Sequence, residues 1–308
     1  MTLFFSRRTY NASSSKFTNN PAQLTRYVRI TQGPDASGRW QGGIISQKDW
    51  LDQVDAEGDT DEVMIFVHGF NNDQFDVLSR FDKIQAGLRK NGYRGALIVY
   101  DWPSEGNVLA YDNDKRNAKA TARFLVEDGI IPLVERKPNR KINLIGHSMG
   151  AYLTLRAISD FDDSATPGSG AWRLNEMMFV SGDADARWFG RGAWASLLLA
   201  HRSKRFTNYF SQLDETLNLP AILGNGLQKR VGRAGMPPVI HKNHVDVYSH
   251  EQYLQDVAPE DQTPTYSHQW WFDNDKFYKD VALTLAGQDA HDMPTRRRMN
   301  TTDLALLS

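Results

Sequence analysis

The segment Lys141-Ile-Asn-Leu-Ile-Gly-His-Ser-Met-Gly150 constrains this chain more than any other stretch. Its apolar residues Ile142, Leu144 and Ile145 run directly into Gly146-His147-Ser148-Met149-Gly150, and good helix formers follow in Ala151, Leu153, Leu155, Arg156 and Ala157. A strand that turns straight into a helix at Gly-x-Ser-x-Gly is the setting of a nucleophile elbow. A serine on so tight a turn takes a strained backbone conformation, and only glycines two residues to either side leave room for it. Its Oγ then stands at a helix N-terminus, where free N–H groups and partial positive charge favour a developing oxyanion. Outside such a strand and helix the same five residues read as an ordinary glycine-rich turn.

The rest of the chain supplies matching elements. Val63-Met-Ile-Phe-Val67 and Ala96-Leu-Ile-Val-Tyr100 are continuous apolar, β-rich runs, as in strands buried on both faces. Met177–Val180, Arg205–Phe210 and Val245–Val247 are further strands by the same pattern, and Leu24–Thr31 is a first, weakly alternating one. Helical spacing is predicted over Ser46–Val54, with Ser46 as cap, over Phe75–Leu88 (Phe75, Leu78, Phe81, Ile84, Leu88), over Lys115–Leu133, and at Lys276, Tyr278 and Val281. Helices alternating with buried strands predict an α/β fold: a mostly parallel central sheet with helices on both faces. Residues 1–22, rich in Ser, Asn and Thr from Ser6 onward, read as a mobile lead-in, 23–286 as a single domain, and 287–308 as a C-terminal tail.

Composition narrows the chemistry. Among 308 residues there is no cysteine, which excludes disulfides, thiolate metal sites and a cysteine nucleophile. Acidic and basic residues nearly cancel, 37 against 36, so nothing favours nucleic acid or an anionic membrane as partner. No stretch approaches the length of an integral membrane segment, and the start lacks the apolar run of a secretory signal, which together imply a cytoplasmic protein.

Val67-His68-Gly69-Phe70-Asn71-Asn72 follows directly on a buried strand. Acyl transfer at an elbow serine needs two backbone N–H groups for the oxyanion, one from such a loop and one from the residue after the nucleophile. Phe70 and Met149 are the expected donors, with Asn71 in place of Phe70 if the turn is shifted by one. On the plainer reading His68 is merely packed in a β-to-α turn.

With these segments together, the chain resembles an α/β-hydrolase, and more narrowly a poorly characterised group of bacterial esterase/lipase-like serine hydrolases. The resemblance runs from about Val63 to Val281 and rests on Val67-His-Gly-Phe-Asn71, Trp102-Pro-Ser104, Leu144-Ile-Gly-His-Ser-Met-Gly150 and Tyr266-Ser-His268. It implies a catalytic triad in the chain order serine, acid, histidine, with the acid after a late strand. Asp214, in the polar turn after Arg205–Phe210, fits that pattern, and Glu215 shares the turn. Asp183 and Asp185, after the preceding strand, are the alternative acids, because some members of the superfamily take theirs from there. His241, His244, His250, His268 and His291 follow the acid. His268 fits best, in a loop before Gln269-Trp-Trp-Phe272 and the final helix, and the Trp270–Trp271 pair is expected to pack over its imidazole and exclude water. His147 is not a triad member, since its side chain points away from that of Ser148.

The implied activity is ester hydrolysis through an acyl-enzyme on a small-molecule ester, with thioesterase, amidase and acyltransferase chemistry sharing that intermediate. An idle scaffold that binds a ligand or partner is the alternative, because fold does not fix function. No cofactor is implied. Segments 104–117 and 217–238 are lid candidates. His241-Lys-Asn-His244 lacks the helical spacing of a zinc protease, Gly224-Asn-Gly226 lacks a dinucleotide fingerprint's third glycine, and the basic runs Arg202–Arg205 and Arg296–Arg298 read as solvated faces.

Overall fold

The computed structural model describes residues 1–33, 40–105, 110–161, 170, 172–218, 228–299 and 303–307. Eleven strands form one sheet: β1 (Thr2–Asn11), β2 (Lys16–Gln32), β3 (Gln41–Ile45), β4 (Glu62–Val67), β5 (Ala96–Asp101), β6 (Lys141–His147), β7 (Leu174–Val180), β8 (Ser203–Phe210), β9 (His244–Tyr248), β10 (Arg296–Arg298) and β11 (Asp303–Leu306). Their spatial order is β10-β11-β9-β8-β7-β6-β4-β5-β1-β2-β3. Every pairing from β11–β9 through β5–β1 is parallel, and only β1–β2, β2–β3 and β10–β11 are antiparallel. This is the mostly parallel sheet of the α/β reading.

Both faces of the central strands are covered, which is why they are continuous apolar runs. Along β4, Val63, Ile65 and Val67 join one apolar cluster while Met64 and Phe66 join the other. The first cluster is closed by α1 (Gln47–Glu57), α3 (Tyr111–Thr121), α4 (Met149–Asp160) and α5 (Trp194–Arg202). The second is closed by α2 (Gln74–Lys90) and α6 (Asp275–Leu285). Ser46 caps α1 by accepting from the Asp49 N–H, as its sequence position predicts. On α2, Leu78, Phe81, Ile84 and Leu88 are buried, but Phe75 is exposed and Val77 completes the stripe.

Four readings of the chain are corrected. The helix expected over Lys115–Leu133 is not continuous: after α3 a short helical piece leads through a π turn at Val126–Ile130 into a last helix, Ile131–Arg136. Pro132 has no N–H to give the carbonyl of Asp128, and the Tyr27 hydroxyl donates to that carbonyl instead, at 2.9 Å. Gly129 in the π turn lies against the Phe5 ring, where a Cβ would come within 2.4 Å.

Residues 1–22 are not a lead-in: β1 pairs with β5, and Leu3, Phe4 and Phe5 are buried in both clusters. Nor is 287–308 a simple tail, because β11 extends the sheet beyond β9. The basic runs are not solvated faces throughout. Arg296 is buried against Asp280 at 2.6 Å, and Arg202 is buried and donates to the carbonyls of Gly170 and Trp172. Of the lid candidates, residues 106–109 and 219–227, and with them Gly224-Asn-Gly226, lie outside the described residues. The remainder includes the start of α3 and the short helix Val231–Ala234.

Candidate active site

Ser148 sits between β6 and α4 with φ 54° and ψ −124°, a left-handed backbone that a non-glycine residue takes only under constraint. The constraint is visible. Its N–H donates to the Val180 carbonyl at 3.1 Å, and its own carbonyl accepts from Ala151 and, at 2.9 Å, from Asp183. Gly150 is required by close approach, since a Cβ there would lie 2.3 Å from the Val67 carbonyl oxygen at the end of β4.

The loop after β4 lies directly against this serine. A Cβ on Gly69 would stand 2.8 Å from Ser148 Cβ and 3.3 Å from its Oγ. The Gly69 carbonyl accepts from His68 Nδ1 at 2.8 Å and from Asn72 Nδ2 at 3.0 Å, and the Phe70 carbonyl accepts from Asn72 Nδ2 at 2.6 Å. The Asn71 N–H donates to Asp114 Oδ2 at 3.2 Å, with Asn71 at φ 56°. That leaves two N–H groups beside Ser148, those of Phe70 and Met149, with no acceptor among the described residues.

His68 is more than packing. Its Nδ1 faces a carbonyl and must donate, so Nε2 accepts from the Trp102 N–H at 3.2 Å, and the ring stacks on Trp102 with centroids 5.1 Å apart. The 3.5 Å approach of the same Nε2 to Asp101 is then no hydrogen bond. Burial lowers the His68 pKa, in keeping with a neutral ring.

Asp214 is fully buried in the turn after β8, and its Oδ2 lies 2.7 Å from His268 Nδ1. Its Oδ1 accepts from the Leu217 N–H at 3.3 Å, and its carbonyl accepts from Arg233 at 2.7 Å. His268 is buried too, and its Nε2 has no hydrogen-bond partner among the described residues. The His268 carbonyl accepts from His147 Nε2 at 3.0 Å, and the two rings are 4.7 Å apart. This bond ties the His268 loop to the last residue of β6, next to Ser148. Sequence reasoning set His147 aside, and only the fold shows its partner.

The alternative acids are engaged elsewhere. Asp183 Oδ2 accepts from the Tyr111 hydroxyl at 2.8 Å and Oδ1 lies 3.1 Å from Arg230 Nε, while Asp185 caps the turn Ala186–Phe189 and pairs with Arg187 at 2.6 Å. Glu215 donates its N–H to Ser267 Oγ. The tryptophans do not cover the imidazole. Trp271 donates to Ser181 Oγ at 3.0 Å and stacks on Trp270, which packs on Tyr253, so the ring against His268 is that of His147. His241 bonds Asn243, His244 bonds Ser196, and no group of three metal-ligating side chains occurs among the described residues. No helix among them is long and apolar enough to cross a membrane.

Burial, and then the nearby His268, hold the His147 imidazole well below the ordinary histidine value of 6.5. The unfolded chain gains protons at His68 and His147 as pH falls through about 6.5, and the folded chain gains them only at lower pH. Their contribution to stability is therefore complete above that pH and declines below it. His147→Gln is expected to flatten the acid limb of stability measured by urea unfolding between about pH 7 and pH 5; a limb as steep as in the native protein would count against this assignment.

Comparison with known proteins places the chain. It is 26% identical over 126 residues to the uncharacterized protein alr1448 of Nostoc sp., a match spanning 33% of this chain and 32% of that one. A cutinase-like protein from Cryptococcus sp. is similar at 13% identity, covering 74% of this chain and 96% of its own, with a TM-score of 0.37. An esterase B from Lactobacillus rhamnosis is similar at 14% identity, covering 76% and 82%, with a TM-score of 0.32. At such TM-scores neither structure bears on what this chain does. The family model described as "Alpha/beta hydrolase of unknown function (DUF900)" matches residues 45–251, more than half of the sequence, and the chain belongs to that family.

Proposed function

We propose that the protein is a serine hydrolase that cleaves carboxylic esters through an acyl-enzyme. The observation that carries this reading is the buried 2.7 Å pair of Asp214 and His268, tied through His147 to the strand that ends at the elbow serine. With Nδ1–H committed to Asp214, His268 Nε2 holds the free lone pair. It takes the proton from Ser148 Oγ as that oxygen attacks the ester carbonyl carbon. The carbonyl oxygen becomes an oxyanion that accepts the N–H groups of Phe70 and Met149. Collapse breaks the ester C–O bond, and His268 returns the proton to the departing alcohol. Water, deprotonated by the same Nε2, then attacks the acyl group and releases the acid with Ser148 restored. Asp214 stays ionised and stabilises the transient imidazolium. The unpaired state of Nε2 suits this role, because catalytic hydrogen bonds often tighten only when substrate is bound.

The test is a fluorophosphonate probe on the native protein, with the adduct mapped by mass spectrometry, alongside a panel of p-nitrophenyl esters, thioesters and anilides. Labelling confined to Ser148 is expected, and Ser148→Ala should lower ester turnover by at least about four orders of magnitude without loss of fold. Hydrolysis retained in purified Ser148→Ala would sink the reading. A native protein that never labels would instead mark an idle scaffold.

A further inference from the structure

The loop that carries the Phe70 N–H is braced from outside by two buried charged side chains. Arg8 of β1 is wholly buried and spends its guanidinium on several groups at once. Nε pairs with Asp101 at 2.7 Å, Nη1 donates to the Asn19 side chain and to the Ser104 carbonyl, and Nη2 donates to the Asn72 carbonyl at 2.9 Å. Asp114 of α3 is equally buried. It accepts from the Asn71 N–H at 3.2 Å, from Ser104 Oγ at 2.6 Å and from the Glu105 N–H at 2.9 Å. Ser104 Oγ in turn accepts from the Asn72 N–H at 3.3 Å. Both side chains therefore hold the loop and the Ser104 segment together.

The bonds determine which N–H is left over. His68 and Asn72 fix the Gly69 carbonyl, and the Phe70 N–H belongs to the same rigid peptide unit, so it is directed to the opposite side. The next peptide is fixed at both ends, its carbonyl by Asn72 and its N–H by Asp114. Asn71 sits at a positive φ, φ 56°, which asparagine tolerates and which the bonds on either side of it fix. We infer that Arg8 and Asp114 are positioning residues that hold the Gly69–Asn72 loop in the arrangement leaving the Phe70 N–H unpaired beside Ser148. This rests on the serine-hydrolase reading above. Preorganised donors stabilise an oxyanion because they need no rearrangement when charge develops, so loosening them acts on the transition state and not on substrate binding.

The experiment compares the native protein with Asp114→Asn, Arg8→Lys and the milder Ser104→Ala. Each is assayed with a short-chain p-nitrophenyl ester, per site titrated by fluorophosphonate. Each is also bound to a trifluoromethyl ketone, which forms a hemiketal oxyanion on the serine, and to the matching unreactive alcohol. The expected result is a loss of kcat of roughly tenfold or more in Asp114→Asn and Arg8→Lys and a smaller one in Ser104→Ala, with KM little changed. Affinity for the ketone should fall in parallel, and affinity for the alcohol should hold. Variants that merely melt earlier, with native kcat and native ketone affinity per titrated site, overturn the positioning role and leave the hydrolase reading standing. If Arg8→Lys does not fold, the other two decide. A native protein that labels at no serine and turns over no ester overturns both.

Discussion

Asp214→Asn is expected to lower kcat by about four orders of magnitude with the fold intact, because the change acts on the tautomer of His268. Asp214 Oδ1 accepts from the Leu217 N–H, so a carboxamide keeps its oxygen there and turns its NH2 toward His268 Nδ1. Two donors cannot face each other, so the imidazole proton moves to Nε2, which then cannot accept from Ser148. Asp183→Asn is the informative counterpart. That carboxylate serves Tyr111 and Arg230, so its loss should weaken the fold while leaving kcat per folded site near the native value. Steady-state kinetics with circular dichroism on both variants check the assignment. The reverse pattern would move the acid to the strand before.

The largest effect on stability is expected at the far edge of the sheet. Arg296 and Asp280 are 1% and 0% exposed, joined at 2.6 Å, and the Tyr209 hydroxyl donates to the same carboxylate at 2.7 Å. Arg296→Met leaves an ionised carboxylate buried without its cation, which costs roughly 3–5 kcal/mol. Urea unfolding measures it directly. A partner change that also removes the acid, Asp280→Leu with Arg296→Met, should recover much of the loss, since an apolar pair of similar volume carries no desolvation penalty. A double variant as unstable as the single one would place the role of this cluster in packing.

The elements that follow from local rules were legible in the sequence. The buried strands from Val63, Ala96 and Lys141 announce themselves as apolar runs because both faces are covered, and Ser46 marks the start of its helix by its own hydrogen bond. Gly146–Gly150 was legible because glycine spacing and strain are local properties. What was hidden depends on distant partners. β1 has only three consecutive apolar residues, too few to signal a strand, and its place is set by pairing with β5, far along the chain. Arg8 and Arg296 carry charges that a sequence assigns to solvent, until the fold supplies Asp101 and Asp280. His147 was dismissed because its side chain leaves Ser148, and the same direction brings it to the His268 carbonyl. The tryptophans were misplaced because adjacency in sequence suggested contact, whereas Trp271 Nε1 reaches Ser181 on another strand end.

The order in which these parts are made has a cost during synthesis. Strands β4 to β9 are complete once Tyr248 has emerged, yet one face of them is closed in part by Trp270, Trp271, Phe277, Val281 and Leu285. Until that last stretch leaves the ribosome, the nascent chain holds strands β1 to β9 with part of one apolar face uncovered, the kind of species that aggregates or recruits chaperones. The same stretch brings His268, so the burial of that face and the pairing of the His268 imidazole with Asp214 belong to one late folding event.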